Sequence, residues 1–255
     1  MTTLPRTPSF RLDGRTALVT GAGRGIGLGA AVALAEAGAA VTLVSRTAGE
    51  VVAVAAAIRE AGGTATGAAL DVTDTAAVSR FVAGRGPFDV LVNNAGGARH
   101  TTLADVTEAD YDVVTDLNVK AAFFVARAVA LALLEAKRPG SIVNVSSQMG
   151  HVGGPKRAVY CATKHAMEGF TKAMALELAP AGIRVNTLCP TFVETPMTRP
   201  MLEDATFRDF VLSKIPMGRV GRIEDLMGPV VFLASDASAL VTGTHLVVDG
   251  GWTAQ

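Results

Sequence analysis

Neither charge of one sign nor a cysteine framework marks this 255-residue chain: 23 basic and 23 acidic residues cancel, and the two cysteines are isolated at Cys161 and Cys189. Without basic or acidic runs there is no electrostatic footprint for nucleic acid or an anionic membrane, so a small-molecule partner is expected. Two cysteines make neither a disulfide framework nor the paired spacing of a zinc site, and they suit burial in a reducing compartment. His100, His165 and His245 are scattered, and no metal cluster is expected. The opening stretch MTTLPRTPSF lacks the apolar core of a secretion signal. It reads as a disordered tail, residues 1–12, before one domain over 13–255, with a cytoplasmic location expected. The most apolar region, Gly25 to Val44, is broken by Glu36 and Gly38, and no membrane span is expected there.

What is present is alternation. Short β-branched apolar runs at Thr16 to Thr20, Ala40 to Ser45, Asp89 to Asn93, Ser141 to Ser146, Ile183 to Leu188 and His245 to Asp249 read as strands buried on both faces. A weaker run, Thr64 to Leu70, makes a seventh. Alanine-rich helical stretches lie between them, over Gly25 to Ala37, Ala48 to Ala61, Thr75 to Ala83, Glu108 to Ala136, Val159 to Ala179 and Ile223 to Ala234. The expected fold is a single-domain α/β structure, Rossmann-like, with a doubly wound seven-stranded parallel sheet and helices on both faces. In such a sheet ligands bind beyond the carboxyl ends of the strands.

The unusual residues of the chain fall in those loops. TGAGRGIG, Thr20 to Gly27, joins the first strand to the first helix. Its glycines Gly21, Gly25 and Gly27 allow a tight turn that brings backbone N–H groups and a helix N-terminus to a pyrophosphate, with Arg24 and Ile26 inside the turn. Where an NAD-binding unit is expected to carry a carboxylate for the ribose hydroxyls, this chain has Ser45 and Arg46. A guanidinium grips a 2′-phosphate instead, so NADP(H) is preferred over NAD(H), with Arg24 adding a second positive charge. Tyr160 and Lys164, four positions apart in a helical stretch, point into the same space.

Together TGAGRGIG, Asp71, NNAG (Asn93 to Gly96), Asn118, SIVNVSS (Ser141 to Ser147), Tyr160-x-x-x-Lys164, RVNTLCP (Arg184 to Pro190) and VVDGG (Val247 to Gly251) resemble the short-chain dehydrogenase/reductase family over nearly the whole chain. The resemblance implies a nicotinamide-dependent enzyme acting on CH–OH or C=O groups. It makes Tyr160 the proton donor and acceptor, Lys164 its partner and holder of the nicotinamide ribose, Ser147 the binder of the substrate oxygen, and Asn118 the holder of a water at a helix irregularity. Lys164 is expected to favour the phenolate of Tyr160. Ser146 is expected to serve loop backbone. Asp71 and Val72 are implied as adenine contacts; Asn93, Ala95 and Gly96 lie beside the adenosine ribose; Pro190, Val193 and Thr195 surround the carboxamide. The family usually has Pro-Gly where this chain has Pro190-Thr191, which narrows the pocket floor.

Candidate substrate contacts are Gln148, Met149, His151, Val152, Thr191, Met197 and Met201, from the loop after Ser147 and a lid over about 195–215. Mostly apolar, they suggest a small to medium ketone or secondary alcohol of mainly apolar character. The alternatives are a 3-oxoacyl-type or sugar/polyol dehydrogenase of the same family, or a non-catalytic dinucleotide-binding sensor. The intact Asn118, Ser147, Tyr160 and Lys164 set favours the enzyme. Ala181, where acyl-carrier-protein reductases tend to carry a basic residue, argues against a carrier-bound substrate. A homotetramer built on the two long apolar helices and the last strand is expected.

Overall fold

The structure, a computed structural model, describes residues 3–254. The first two residues of the expected tail, and Gln255, lie outside the described residues. Seven strands, β1 (Thr16–Thr20), β2 (Ala40–Ser45), β3 (Thr64–Ala69), β4 (Val90–Asn93), β5 (Gly140–Val145), β6 (Ile183–Pro190) and β7 (His245–Val248), form one sheet in the order β3-β2-β1-β4-β5-β6-β7. All six ladders are parallel. The order reverses between β1 and β4, which opens a crevice at the carboxyl ends of those strands.

Strand residues alternate between two apolar layers, as the pleat requires. Ala17, Val19, Val90, Val92 and Val143 face one layer, which also holds Leu34 of α1 (Gly25–Glu36), Val51 of α2 (Ala48–Glu60) and Leu233 of α9 (Glu224–Ala234). Leu18, Leu91 and Ile142 face the other, with Val82 of α3 (Thr75–Arg85) and Val129 of α5 (Ala122–Glu135). This accounts for strands with no polar face. Small residues bring the helices close: a Cβ on Gly29 of α1 would meet Ile223 Cγ2 at 2.1 Å, beside the start of α9.

Residues 3–12 form no regular element, yet Leu12 is buried and its N–H donates to Ala37 O at 2.8 Å. The packed chain therefore begins before residue 13. The stretch expected as one helix from Glu108 to Ala136 is α4 (Glu108–Thr115) and α5 joined by a π-helical turn, Asp116–Ala121, which accommodates an extra residue. By length and composition the run Glu108–Glu135 is apolar enough to cross a membrane; 50% of its most apolar window is buried, with Val125, Val129 and Leu133 in the core. The longest helix, α6 (Ala158–Leu178), follows the loop after β5. The segment expected as a lid carries two helices not foreseen, α7 (Arg199–Leu202) and α8 (Ala205–Ser213), the latter capped by Asp204, which accepts the Phe207 N–H at 3.0 Å.

Candidate active site

A cleft of about 580 Å³ runs across the carboxyl ends of the strands. One end is made by the loops after β1, β2 and β3, the other by those after β5 and β6 and by the lid. The turn after β1 is tied down from β4: the Thr20 hydroxyl accepts the N–H groups of Asn94 and Ala95 at 2.9 and 3.0 Å, and Asn94 Nδ2 donates to Thr20 O and Gly21 O. Arg24 at the N-cap of α1 makes no side-chain cap, and no acidic residue lies in the first turn of that helix. Its first N–H groups thus lack a side-chain partner and sit beside the glycines, the arrangement that takes a pyrophosphate. Gly21, Gly25 and Ile26 line the cleft.

At the adenosine end Ser45 Oγ accepts the Thr47 N–H at 3.2 Å and donates to Thr47 O, which shapes the loop that carries Arg46. Arg46 is exposed, lines the cleft and has no ion pair within hydrogen-bonding reach among the described residues. Arg24 reaches Glu50 at 3.8 Å. Asp71 is locked by Thr73, whose N–H and hydroxyl it accepts at 2.9 and 2.7 Å; those bonds, with the Arg46 charge, hold its carboxyl below the usual range. Leu70 and Val72 supply the apolar surface beside it. The residues present therefore fit a dinucleotide: N–H groups at a helix start without a side-chain partner and a glycine cradle for a pyrophosphate.

Ser147, Tyr160 and Lys164 meet at the other end. Ser147 caps the short turn Gln148–Gly150, accepts the Met149 N–H at 3.1 Å and donates to Gln148 Oε1 at 3.2 Å. Lys164 Nζ lies 5.6 Å from the Tyr160 ring centre and donates to Val145 O at 2.8 Å. Burial pushes it down to about 8. Burial also raises Tyr160 above its ordinary value; the neighbouring Ser147 hydroxyl and the charge of Arg157 oppose this. A second cation stands nearby: the charge of Arg157, three residues before Tyr160, also favours the phenolate.

Five expected site residues do not line the cleft: Val152 borders a neighbouring cavity, and four stand behind the cleft wall. Asn118, in the π turn, is fully buried; its Nδ2 donates to Gly97 O at 2.8 Å and Thr163 Oγ1 at 3.1 Å, and its Oδ1 accepts the Gly97 N–H. It positions the Gly96–Gly97 wall. Gly27 packs under the turn, where a Cβ would meet Gly21 O at 2.3 Å. Asn93, on the same strand face as Leu91, donates to Ala122 O and Asn144 Oδ1; its neighbour Asn94 lines the cleft. His151 turns away from the cleft, 3.4 Å from Cys189 Sγ and 3.7 Å from Glu168 Oε1, with its ring 4.3 Å from that of His245. The donor atoms of His151, Glu168 and His245 lie within 4.8 Å of one another, a grouping the histidine spacing did not disclose. Ser146 Oγ has no hydrogen-bond partner, so it does not serve loop backbone.

Ala95, Gly96, Gln148, Pro190, Thr191, Val193, Thr195, Met197 and Met201 all line the cleft. Sequence reasoning missed His100 and Arg157, both in its wall; the position of Arg157, three residues before Tyr160, was the available signal.

A dinucleotide cradle that ends at a tyrosine, a lysine and a serine defines a nicotinamide-dependent oxidoreductase. Comparison with known proteins agrees. A family model described as enoyl-(acyl carrier protein) reductase matches residues 21–253. L-xylulose reductase of Bos taurus is 42% identical over 245 residues, covering 96% of this chain and 99% of its own. Gluconate 5-dehydrogenase of Gluconobacter oxydans (strain 621H) is 42% identical over 248 residues, 96% of each chain. The crystal structure of a gluconate 5-dehydrogenase from Burkholderia cenocepacia J2315, in complex with NADP and tartrate, superposes with a TM-score of 0.91 at 40% identity, covering 96% of this chain and 98% of that one. The chain belongs to the short-chain dehydrogenase/reductase family, as its motifs led us to expect. It is an NAD(P)-dependent oxidoreductase acting on CH–OH and C=O groups.

Proposed function

We propose that the chain interconverts a hydroxylated ketone and the matching secondary alcohol, with NADP(H) preferred over NAD(H). The cofactor preference is supported by Arg46, free of any ion pair among the described residues at a ribose site without a carboxylate, and by the NADP in the Burkholderia structure. The substrate end is more polar than the sequence suggested. The Gln148 side chain, engaged at its oxygen by Ser147, leaves its amide nitrogen free, and His100 and Arg157 stand in the cleft wall. Those groups suit the hydroxyls of a sugar or polyol better than a plain apolar ketone, in keeping with relatives named for xylulose and gluconate.

When bound, the nicotinamide supplies or accepts the hydride. In the reducing direction Tyr160 gives its phenolic proton to the developing alkoxide, and Ser147 Oγ turns its hydrogen bond to the same oxygen. Lys164 uses one of its three N–H groups on Val145 O and keeps two for the nicotinamide ribose. Asn118 acts by position, through Gly97. The single observation that carries the reading is the meeting of Ser147, Tyr160 and Lys164 at one end of a cleft whose other end is the glycine turn and Arg46.

The test is a panel of ketoses, polyols and simple ketones assayed with each coenzyme. Turnover of hydroxylated substrates with NADPH ahead of NADH is expected. Tyr160→Phe should lose turnover by at least about two decades while it still binds coenzyme; undiminished turnover refutes the assignment. We further propose a homotetramer, supported by the exposed Tyr111, Val113, Phe124, Leu131 and Leu134 on α4 and α5 and by Leu176 on α6. A monomer in sedimentation at micromolar concentration overturns it. A cytoplasmic location stays part of the same proposal.

A further inference from the structure

We infer that the substrate end of the cleft holds a carboxylate-binding subsite built on Arg157, so that the hydroxylated ketone is a keto acid. The inference rests on the function proposed above. Arg157 is the N-cap residue of α6, and Tyr160 follows at i+3, so the guanidinium and the phenol share one face of the helix start. Arg157 is 7% exposed. It lies in the wall between the main cleft and an adjoining cavity of about 440 Å³, bordered by Met149, Phe192, Phe207 and Trp252.

A guanidinium taken this far out of water ordinarily has a carboxylate beside it, because a buried unpaired charge is costly. Among the described residues no acidic side chain pairs with Arg157. Its hydrogen bonds run from Nη1 to the ring of His100, 2.8 Å from Nδ1. Desolvation and the Arg157 charge push His100 down to about 4, so that ring is neutral at pH 7 and balances nothing. The ring centres of Phe192 and Phe207 lie 5.2 and 5.7 Å from the guanidinium carbon, which fixes its plane without neutralising it. Nε and Nη2 have no hydrogen-bond partner, yet neither is among the sealed orphan atoms, which are Ser146 Oγ and Thr191 Oγ1. The open edge of the fork therefore faces accessible space in the cavity wall.

That edge offers two parallel N–H groups, the geometry a carboxylate accepts through both oxygens. The acidic residues that line the main cleft are Glu50, Asp71 and Asp116. Glu50 is turned to Arg24, Asp71 to Thr73 and Asp116 to Lys120, and none borders the second cavity. A hydroxyl-bearing acid thus meets a set of partners: Arg157 for its carboxylate, Gln148 for its hydroxyls, Ser147 and Tyr160 for its carbonyl.

The test compares wild type, Arg157→Met and Arg157→Lys on two matched pairs, 2-keto-D-gluconate with D-fructose and 5-keto-D-gluconate with L-sorbose, at saturating NADPH. Within each pair a carboxylate is replaced by a hydroxymethyl group and nothing else changes. In wild type kcat/KM should favour the acid by about 100-fold in at least one pair. The acid-to-ketose ratio should collapse by on the order of 100-fold in Arg157→Met and by less in Arg157→Lys. A mere effect of Arg157 on Tyr160, or on folding, cancels in that ratio. A wild-type ratio near one, or the same ratio in Arg157→Met, overturns the inference. Should no ketone in the panel turn over, the proposed function fails, and the subsite is judged by calorimetric titration of D-gluconate into the NADP-loaded protein. Saturable binding that Arg157→Met abolishes supports it; no binding to wild type overturns it.

Discussion

Asn118 and Gly97 exchange a pair of hydrogen bonds, Nδ2 to Gly97 O at 2.8 Å and Gly97 N–H to Oδ1 at 2.9 Å, although 21 residues separate them. An amide side chain from a π turn here completes the backbone of a loop, and the loop is the wall of the cleft. Asn118→Ala leaves both Gly97 groups without their partner, at about 2–3 kcal/mol. A lowered melting temperature should accompany a fall in kcat of at least about tenfold. Asn118→Asp, which keeps the acceptor but not the donor, should recover less than half of either.

Arg46 should decide between coenzymes. A charge-assisted bond to a phosphate is worth about 1.5–3 kcal/mol. Arg46→Ala should therefore lower kcat/KM for NADPH by roughly 10- to 100-fold and change that for NADH by less than about threefold. Steady-state kinetics with each coenzyme against one substrate measure it, and equal losses for both would remove Arg46 from the phosphate site.

Lys164 and Cys189 give the stability a definite pH profile. Lys164 drops to about 8 in the native protein from an ordinary 10.5, so across that interval the unfolded chain holds a proton that the native state has shed, and stability rises with pH. Below 8 both states are protonated and the full cost of burial stays in place. Cys189 works oppositely: burial pushes its thiol from 9.0 up to about 12, so above 9 the native state keeps a proton the unfolded chain loses. Stability from these two groups should rise by about 1 kcal/mol from pH 8 to 9 and then level off. In Cys189→Ala the rise should continue toward 10.5, as read from urea midpoints.

Two glycine-to-alanine changes should move in opposite directions. Gly27→Ala sets a methyl 2.3 Å from Gly21 O and 2.5 Å from Asn94 Nδ2, and backbone at that distance cannot yield without opening the turn. A loss of at least about 3 kcal/mol, with coenzyme affinity falling alongside, is expected. Gly49→Ala, in the first turn of α2 with nothing within 4 Å, should be neutral or stabilising by up to about 1 kcal/mol. Thermal melts of the two variants check the contrast.

The sheet was legible because its signal is local: runs such as Thr16–Thr20 and Ile183 to Leu188 are short and rich in β-branched residues, which separates them from a buried helix. Tyr160 and Lys164 were legible for the same reason, since spacing alone sets their shared helix face. What failed was side-chain direction where the backbone leaves regular structure. His151 follows a single short turn, and nothing local determines that its ring goes to Glu168 and His245 rather than to the cleft. Asn93 was misassigned although strand parity with Leu91 points it at α5. The helices α7 and α8 are short, and α8 owes its place to Phe207 and Val211 packing with Met149, Phe192 and Trp252, which lie far apart in sequence. The position of Arg157, three residues before Tyr160, was a signal in the sequence, but its lack of an acidic partner is a property of three dimensions.

The division of the cleft has an evolutionary consequence. The glycine turn and the loops after β2 and β3 line one end of the cleft, whereas the turns after β5 and β6 and α7 line the other. Changes in residues 148–157 and 197–201 can therefore retune which molecule is reduced while the glycine turn and Arg46 stay as they are.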